Sequence, residues 1–140
     1  MSRRASALTD ADFGKLLAFR DGLRRFLHWS EDTARAAGLT ASQHQLLLAI
    51  RGHGSPPSIR ELAEHLLLRH HSVVELVDRA EQAGLVARHA DEHDQRIVRL
   101  RLTSAGARKL DSLSEAHLEE LSRLRTRFAS LWDDLPDNGA

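Results

Sequence analysis

Three times along the chain a hydroxyl residue stands three positions before an acid or amide, just ahead of a run with helical apolar spacing: Thr9 with Asp12, Thr40 with Gln43, and Ser58 with Glu61. This is the signature of a helix start whose first free N–H groups are capped reciprocally by side chain and backbone. It breaks the chain into helices at set points. After Thr9, the residues Phe13, Leu16, Phe19, Leu23, Phe26 and Ser30 recur at helical intervals, and Gly38 followed by Leu39 closes a long helix. Gln43 to Arg51 forms a short helix with Leu46, Leu47 and Ile50 on its buried side. Gly52-His53-Gly54-Ser55-Pro56-Pro57 then reads as a loop, since two glycines and two prolines favour a turn and remove donors.

From Ser58, Ile59, Leu62, Ala63 and Leu66 line a third helix, and after Leu67 and Leu68 the stretch Arg69–Ala83 carries Val73, Leu76, Val77 and Ala80 until Gly84. Leu85–Arg88 and Ile97–Leu102 are β-prone segments around the charged run His89–Gln95, which predicts a hairpin. Thr103 caps a last helix with Ala107, Leu110, Leu113, His117, Leu121, Leu124, Phe128 and Leu131 on one stripe, ending before Leu135-Pro136. The expected fold is mainly α with a small β-hairpin wing, a winged helix-turn-helix lobe plus a layer of terminal helices. Residues 40–103 form the lobe, and 10–37 and 104–132 are dimerisation helices, all within one domain spanning 1–140.

At 140 residues the chain supports one core rather than two. Twenty basic and twenty acidic side chains cancel, so any contact with nucleic acid has to come from local arrangement rather than net charge. The absence of cysteine removes disulfides, thiolate nucleophiles and thiol oxidation. No apolar run is long enough for a membrane span, and Met1–Asp12 lacks the apolar core of a signal peptide, so a cytoplasmic protein is expected. Neither a phosphate-binding glycine loop nor a nucleophile elbow is present, which argues against an enzyme, and no cofactor is expected. His89, Asp91, Glu92, His93 and Asp94 crowd ligand-type side chains together. At a mobile, wet hairpin tip they read as a solvated turn, and no metal site is assigned.

The order helix, capped helix, turn, second helix, hairpin is that of a winged helix-turn-helix, whose second paired helix enters the major groove. The residues carry a resemblance as well. Leu39-Thr40-Ala41-Ser42-Gln43, Leu62-Ala63-Glu64-His65-Leu66, Leu76-Val77-Asp78-Arg79 with Gly84-Leu85-Val86, and Asp94-Gln95-Arg96 running into Leu102-Thr103-Ser104-Ala105-Gly106 resemble the MarR family of bacterial transcriptional regulators in order and spacing. The resemblance implies a homodimer on a pseudo-palindromic double-stranded operator, with an arginine of the wing, here Arg96, in the minor groove. It also implies a small effector, often an aromatic acid or phenol, between lobe and dimer layer, for which Phe26, Trp29, His44 and Leu48 are the candidates. The sequence departs from the family pattern at Leu67, where a glycine is usual, and at Arg69, where a serine-like cap is usual.

His70, His71, Ser72, Glu75 and Arg79 lie opposite the apolar stripe of the second paired helix and are the base-reading candidates, with Arg69 at its start. Asp78 and Arg79 are alternatively acidic and basic partners that brace the lobe internally. Asp94 is expected to hold Arg96 or another arginine, while Ser58, Arg88, Arg99 and Arg101 are within the class of phosphate contacts, the three arginines alternatively forming a solvated strand face. The rival to a DNA-binding regulator is a winged-helix module that binds another protein.

Overall fold

The computed structural model describes residues 7–133 and Leu135. Pro136, expected to stop the last helix, and the start of the region read for a signal peptide, residues 1–6, lie outside them. The order is α1 (Asp10–Ala36), α2 (Ala41–Gly52), α3 (Ile59–Leu66), α4 (His70–Gln82), β1 (Val86–Ala90), β2 (Val98–Leu102) and α5 (Ser104–Ala129), followed by a 3-10 turn at Ser130–Trp132. Mainly α with one antiparallel hairpin is the class expected from the pattern.

Each capping box forms. Thr9 Oγ1 accepts from the Asp12 N–H at 3.3 Å while Asp12 Oδ2 accepts from the Thr9 N–H at 2.9 Å. Thr40 and Gln43 do the same at 3.0 and 3.1 Å. Ser58 and Glu61 close theirs at 3.2 and 3.0 Å. Gly38 takes φ +84° after α1, and the Leu39 N–H returns to the Ala34 carbonyl at 3.0 Å, which buries Leu39. Gly84, at φ +75°, closes α4 in the same manner, with the Leu85 N–H on the Ala80 carbonyl at 2.9 Å.

Several boundaries differ from the sequence reading. Gly52 is the last residue of α2 rather than the first of the loop. The hairpin pairs Val86 with Leu102 through Ala90 with Val98, so His89 and Ala90 belong to a strand and not to the charged turn. Leu85 and Ile97, expected in strands, instead close a helix and the hairpin tip. Cross-strand hydrogen bonding carried the strands past the β-prone residues, which propensity alone does not register. Pro57 is also more than a loop breaker: it is buried, its carbonyl accepts from the Leu100 N–H at 2.9 Å, and Ser58 bridges Arg99. Proline tolerates this edge position because only its carbonyl is used.

The chain divides into two compact units, residues 31–115 and residues 1–30 with 116–140. In the first, Leu46, Leu47, Leu62, Val73, Val77, Val86 and Leu100 are fully enclosed, joined by Ala34, Leu110 and Leu113. Gly106 has a packing reason, since a Cβ there would lie 2.1 Å from the Leu85 carbonyl oxygen. The Thr103 hydroxyl accepts from the Gly106 N–H at 3.0 Å and donates to the Gly84 carbonyl at 2.6 Å, tying the start of α5 to the end of α4.

In the second unit Phe19 meets Phe128 and Trp132 edge to face, at 5.9 and 6.1 Å between centroids. Gly22 lies directly under Phe128, where an added Cβ would be 2.4 Å from the ring. Ser30 and His117, read from sequence as positions on apolar stripes, are hydrogen-bonded at 2.7 Å, with the rings of Trp29 and Phe26 packed on His117. Leu124 is buried here, but Leu16, Leu17, Leu118 and Leu121 are each more than half exposed.

Candidate nucleic-acid interface

The turn between α3 and α4 keeps its shape despite two unfavourable residues. Leu67 occupies the left-handed region at φ 54°, ψ 43°, its N–H on the Ala63 carbonyl, with its side chain 90% exposed. An L-residue there costs about 1–2 kcal/mol relative to a right-handed conformation. Arg69 is the N-cap of α4 and adopts the extended conformation of a cap, but its side chain makes no capping hydrogen bond. Burial of Val73, Val77 and Ala80 on one side of α4, and of Leu62 on α3, is what holds the pair together.

On the other side of α4, His70, His71, Glu75 and Arg79 are exposed and Ser72 is half-buried. All five candidates therefore lie off the core, as their spacing predicts. Of the two residues read alternatively as bracing partners, Asp78 takes that role: it joins Arg88 at 2.5 Å, and Glu81 joins the same guanidinium at 2.6 Å, while Arg79 stays exposed. Residues 78 and 79 are neighbours on a helix and point apart, whereas β1 brings Arg88 over the acidic side of α4. Arg88 is thus a strut between α4 and the wing. The Asp78 hydrogen bond and the charge of Glu81 both favour its cation, against the cost of burial.

A second strut holds the other side of the wing. Arg99 spans Glu61 at 2.8 Å and Asp91 at 2.9 Å, and His53 Nε2 lies 2.8 Å from the free oxygen of Glu61. Arg99, a candidate for phosphate contact, is drawn inward by these two carboxylates. The Ser58 N–H, then the Ser58 side chain and the charges of His53 and Arg99, outweigh burial and hold the Glu61 carboxyl below its usual range. Asp91 is likewise lowered, first by the Arg99 hydrogen bond and then by the backbone N–H groups of His93 and Asp94. These bonds organise the hairpin tip, the same residues that look like metal ligands in sequence. The Glu61–Arg99–Asp91 chain was invisible there because its members are up to 38 positions apart.

At the wing tip Asp94 holds Arg96, as expected, and the grip is bidentate. Arg96 Nε donates to Oδ1 at 3.0 Å and Nη2 to Oδ2 at 3.1 Å, with the Arg96 backbone N–H also on Oδ1 at 3.1 Å. The Arg96 guanidinium and then that N–H lower the Asp94 carboxyl from its ordinary value. The Arg96 side chain is nevertheless 90% exposed, so its orientation is set without removing it from solvent. Ser58 has its hydroxyl committed to the α3 cap, and Arg101 is exposed on β2.

Of the effector candidates, Phe26 and Trp29 sit in the unit containing His117, with Phe26 also lining a cavity of about 650 Å³ together with Leu23, Leu118, Leu121 and Phe128. His44 is buried in α2, and Leu48 is half-exposed on it. No helix among the described residues is long and apolar enough to cross a membrane.

Comparison with known proteins places this geometry. Residues 37–97 match the MarR family. The transcriptional repressor MdtR of Bacillus subtilis strain 168 is 33% identical over 76 residues, 54% of this chain and 48% of that protein. PecS, a transcriptional regulator of Dickeya dadantii strain 3937, is 30% identical over 93 residues, 65% of this chain and 56% of that one. The chain thus spans about half the length of these curated relatives. A MarR family protein of Bacillus stearothermophilus has a solved structure with a TM-score of 0.70 and 27% identity, covering 94% of this chain and 86% of that one. Residues 37–97, which include most of the winged-helix lobe, thus resemble the MarR family.

Proposed function

We propose that the protein is a transcriptional regulator that binds double-stranded DNA sequence-specifically, as a homodimer on a pseudo-palindromic operator, and that it acts as a ligand-responsive repressor. The observation that carries this reading is the pairing of two DNA-shaped elements in one lobe. Helix α4 turns His70, His71, Glu75 and Arg79 to solvent, and the wing presents an exposed arginine preoriented by a carboxylate. Such an arginine suits a narrow minor groove, where the negative potential is enhanced. Ser72 and Arg69 complete the reading end of α4, and Ser58 adds a position beside the phosphates. Arg88 and Asp94 act by holding the wing.

Residues 10–37 and 104–132 supply the dimerisation helices around the lobe of 40–103. The exposed Leu16, Leu17, Leu118 and Leu121 support this, because a soluble chain that leaves so many large apolar side chains on two helices is served by a second copy. The effector in this reading is a small aromatic or phenolic molecule, tested by calorimetric titration with benzoate and simple phenols.

The deciding experiment measures affinity for an inverted-repeat duplex across a salt series. Phosphate neutralisation releases counterions, so the logarithm of affinity should fall steeply and linearly with the logarithm of salt. The Arg96→Ala variant should bind more weakly at fixed salt with an unchanged circular dichroism spectrum. Affinity that ignores salt and Arg96 would instead indicate a protein-binding module.

A further inference from the structure

Glu75 occupies the middle of the face that α4 turns away from its core. At about 100° per residue it stands roughly 200° round the helix from the buried Val73, nearly opposite the stripe continued by Val77 and Ala80. His71 and Arg79 lie one turn to either side, at the spacing where an acid and a base pair readily. Glu75 nevertheless forms no ion pair or hydrogen bond among the described residues, whereas the neighbouring acids Asp78 and Glu81 are both taken by Arg88. The reading face therefore carries an uncommitted carboxylate at its centre.

A carboxylate on a surface meant for a polyanion is repelled by every phosphate near it, so it needs a specific donor to be tolerated. An ionised carboxylate can only accept hydrogen bonds. In the major groove, guanine offers it two acceptors and thymine an acceptor and a methyl group. Adenine offers the N6 amino group but sets the N7 acceptor beside it, where a second carboxylate oxygen would be repelled. Cytosine presents its N4 amino group as a donor, and that is the edge a glutamate matches. We propose that Glu75 is a specificity-determining residue that selects cytosine at one position of each operator half-site. This rests on the DNA-binding reading above and names the base which that surface prefers.

The test is a selection of duplexes from a randomised library with the wild type and with Glu75→Gln, followed by affinities at one salt concentration for the enriched site and its single-base variants. Glutamine keeps the length but gains a donor, which lets it pair with both N6 and N7 of adenine. The wild type should prefer cytosine at one position per half-site by about tenfold or more. Glu75→Gln should move that position to adenine and leave the others unchanged. Enrichment of the same base with the same discrimination by both proteins overturns the assignment. So does a variant that binds every duplex more tightly with no change in preference, since the carboxylate would then only repel phosphates. If the wild type enriches no sequence at all, the DNA-binding reading falls and this assignment with it.

Discussion

In the unit of residues 31–115 most large apolar side chains are enclosed, with Leu67 and Leu48 among the exceptions, while in the unit of 1–30 and 116–140 many of them face solvent. Leu46, Leu47 and Leu62 have no exposed surface, whereas Leu16, Leu118 and Leu121 are 62%, 64% and 58% exposed. Both regions carry leucines at helical spacing, although every Phe and Trp lies in the second and every Val and Ile in the first, so leucine content alone does not explain the contrast. What differs is the number of directions from which each helix is covered. Elements α2, α3, α4 and the hairpin surround one centre, which completes a core within one chain. The long terminal helices present more apolar surface than their own unit covers, and that surplus is what a second copy would bury.

The most severe way to break this contrast is to charge the exposed stripe. A Leu118→Glu, Leu121→Glu double variant should weaken self-association by more than about a thousandfold, roughly 4 kcal/mol, because two unpaired charges would have to leave water. Light scattering across a dilution series checks this, and a wild type that is monomeric at micromolar concentration would end the proposal. Leu124 is the wrong position for that experiment: at 7% exposure it is already buried within its own chain.

Emptying the core probes the other side. Leu46→Ala should remove about 3 kcal/mol from the lobe by combining lost transfer energy with a cavity. The difference from wild type in urea unfolding should be the same at protein concentrations tenfold apart. A loss that grows on dilution would mean that the lobe depends on a second copy as much as the terminal helices do.

A smaller effect of opposite sign is expected at Leu67. Replacing it with glycine relieves the left-handed strain but frees the unfolded chain, and the net result should be a gain of about 0.5–1 kcal/mol. Leu67→Ala, which keeps the strain, should show no such gain in thermal unfolding.

The least effect concerns the wing strut. Glu61 has its carboxyl lowered in the folded state, so the stability it contributes is full above its ordinary value of 4.5 and is lost as pH falls through the lower folded value. Glu61→Gln should therefore be less stable than wild type at pH 7 and converge with it once the pH has fallen below the lowered folded value. A difference that persists in acid would show that Glu61 acts by shape rather than by charge.

Much of this molecule is decided by neighbours in sequence. Thr9, Thr40 and Ser58 start helices because each cap and its reciprocal partner are three residues apart, and Gly38 and Gly84 end them because the left-handed region strains other residues. The grip of Asp94 on Arg96 is equally local, two positions along one turn. The outward face of α4 follows from its periodicity. Tertiary structure decided which arginines are left for a ligand. The sequence offered Arg88 and Arg99 as phosphate contacts, but folding sets Arg88 beside Asp78 and Glu81, and Arg99 between Glu61 and Asp91. It also decided that Leu67 would take a glycine's conformation, since burial along α3 and α4 outweighs the strain of one turn residue. Local rules act between residues a few positions apart, whereas ion pairs and core packing join positions that only the completed fold brings within a few ångströms.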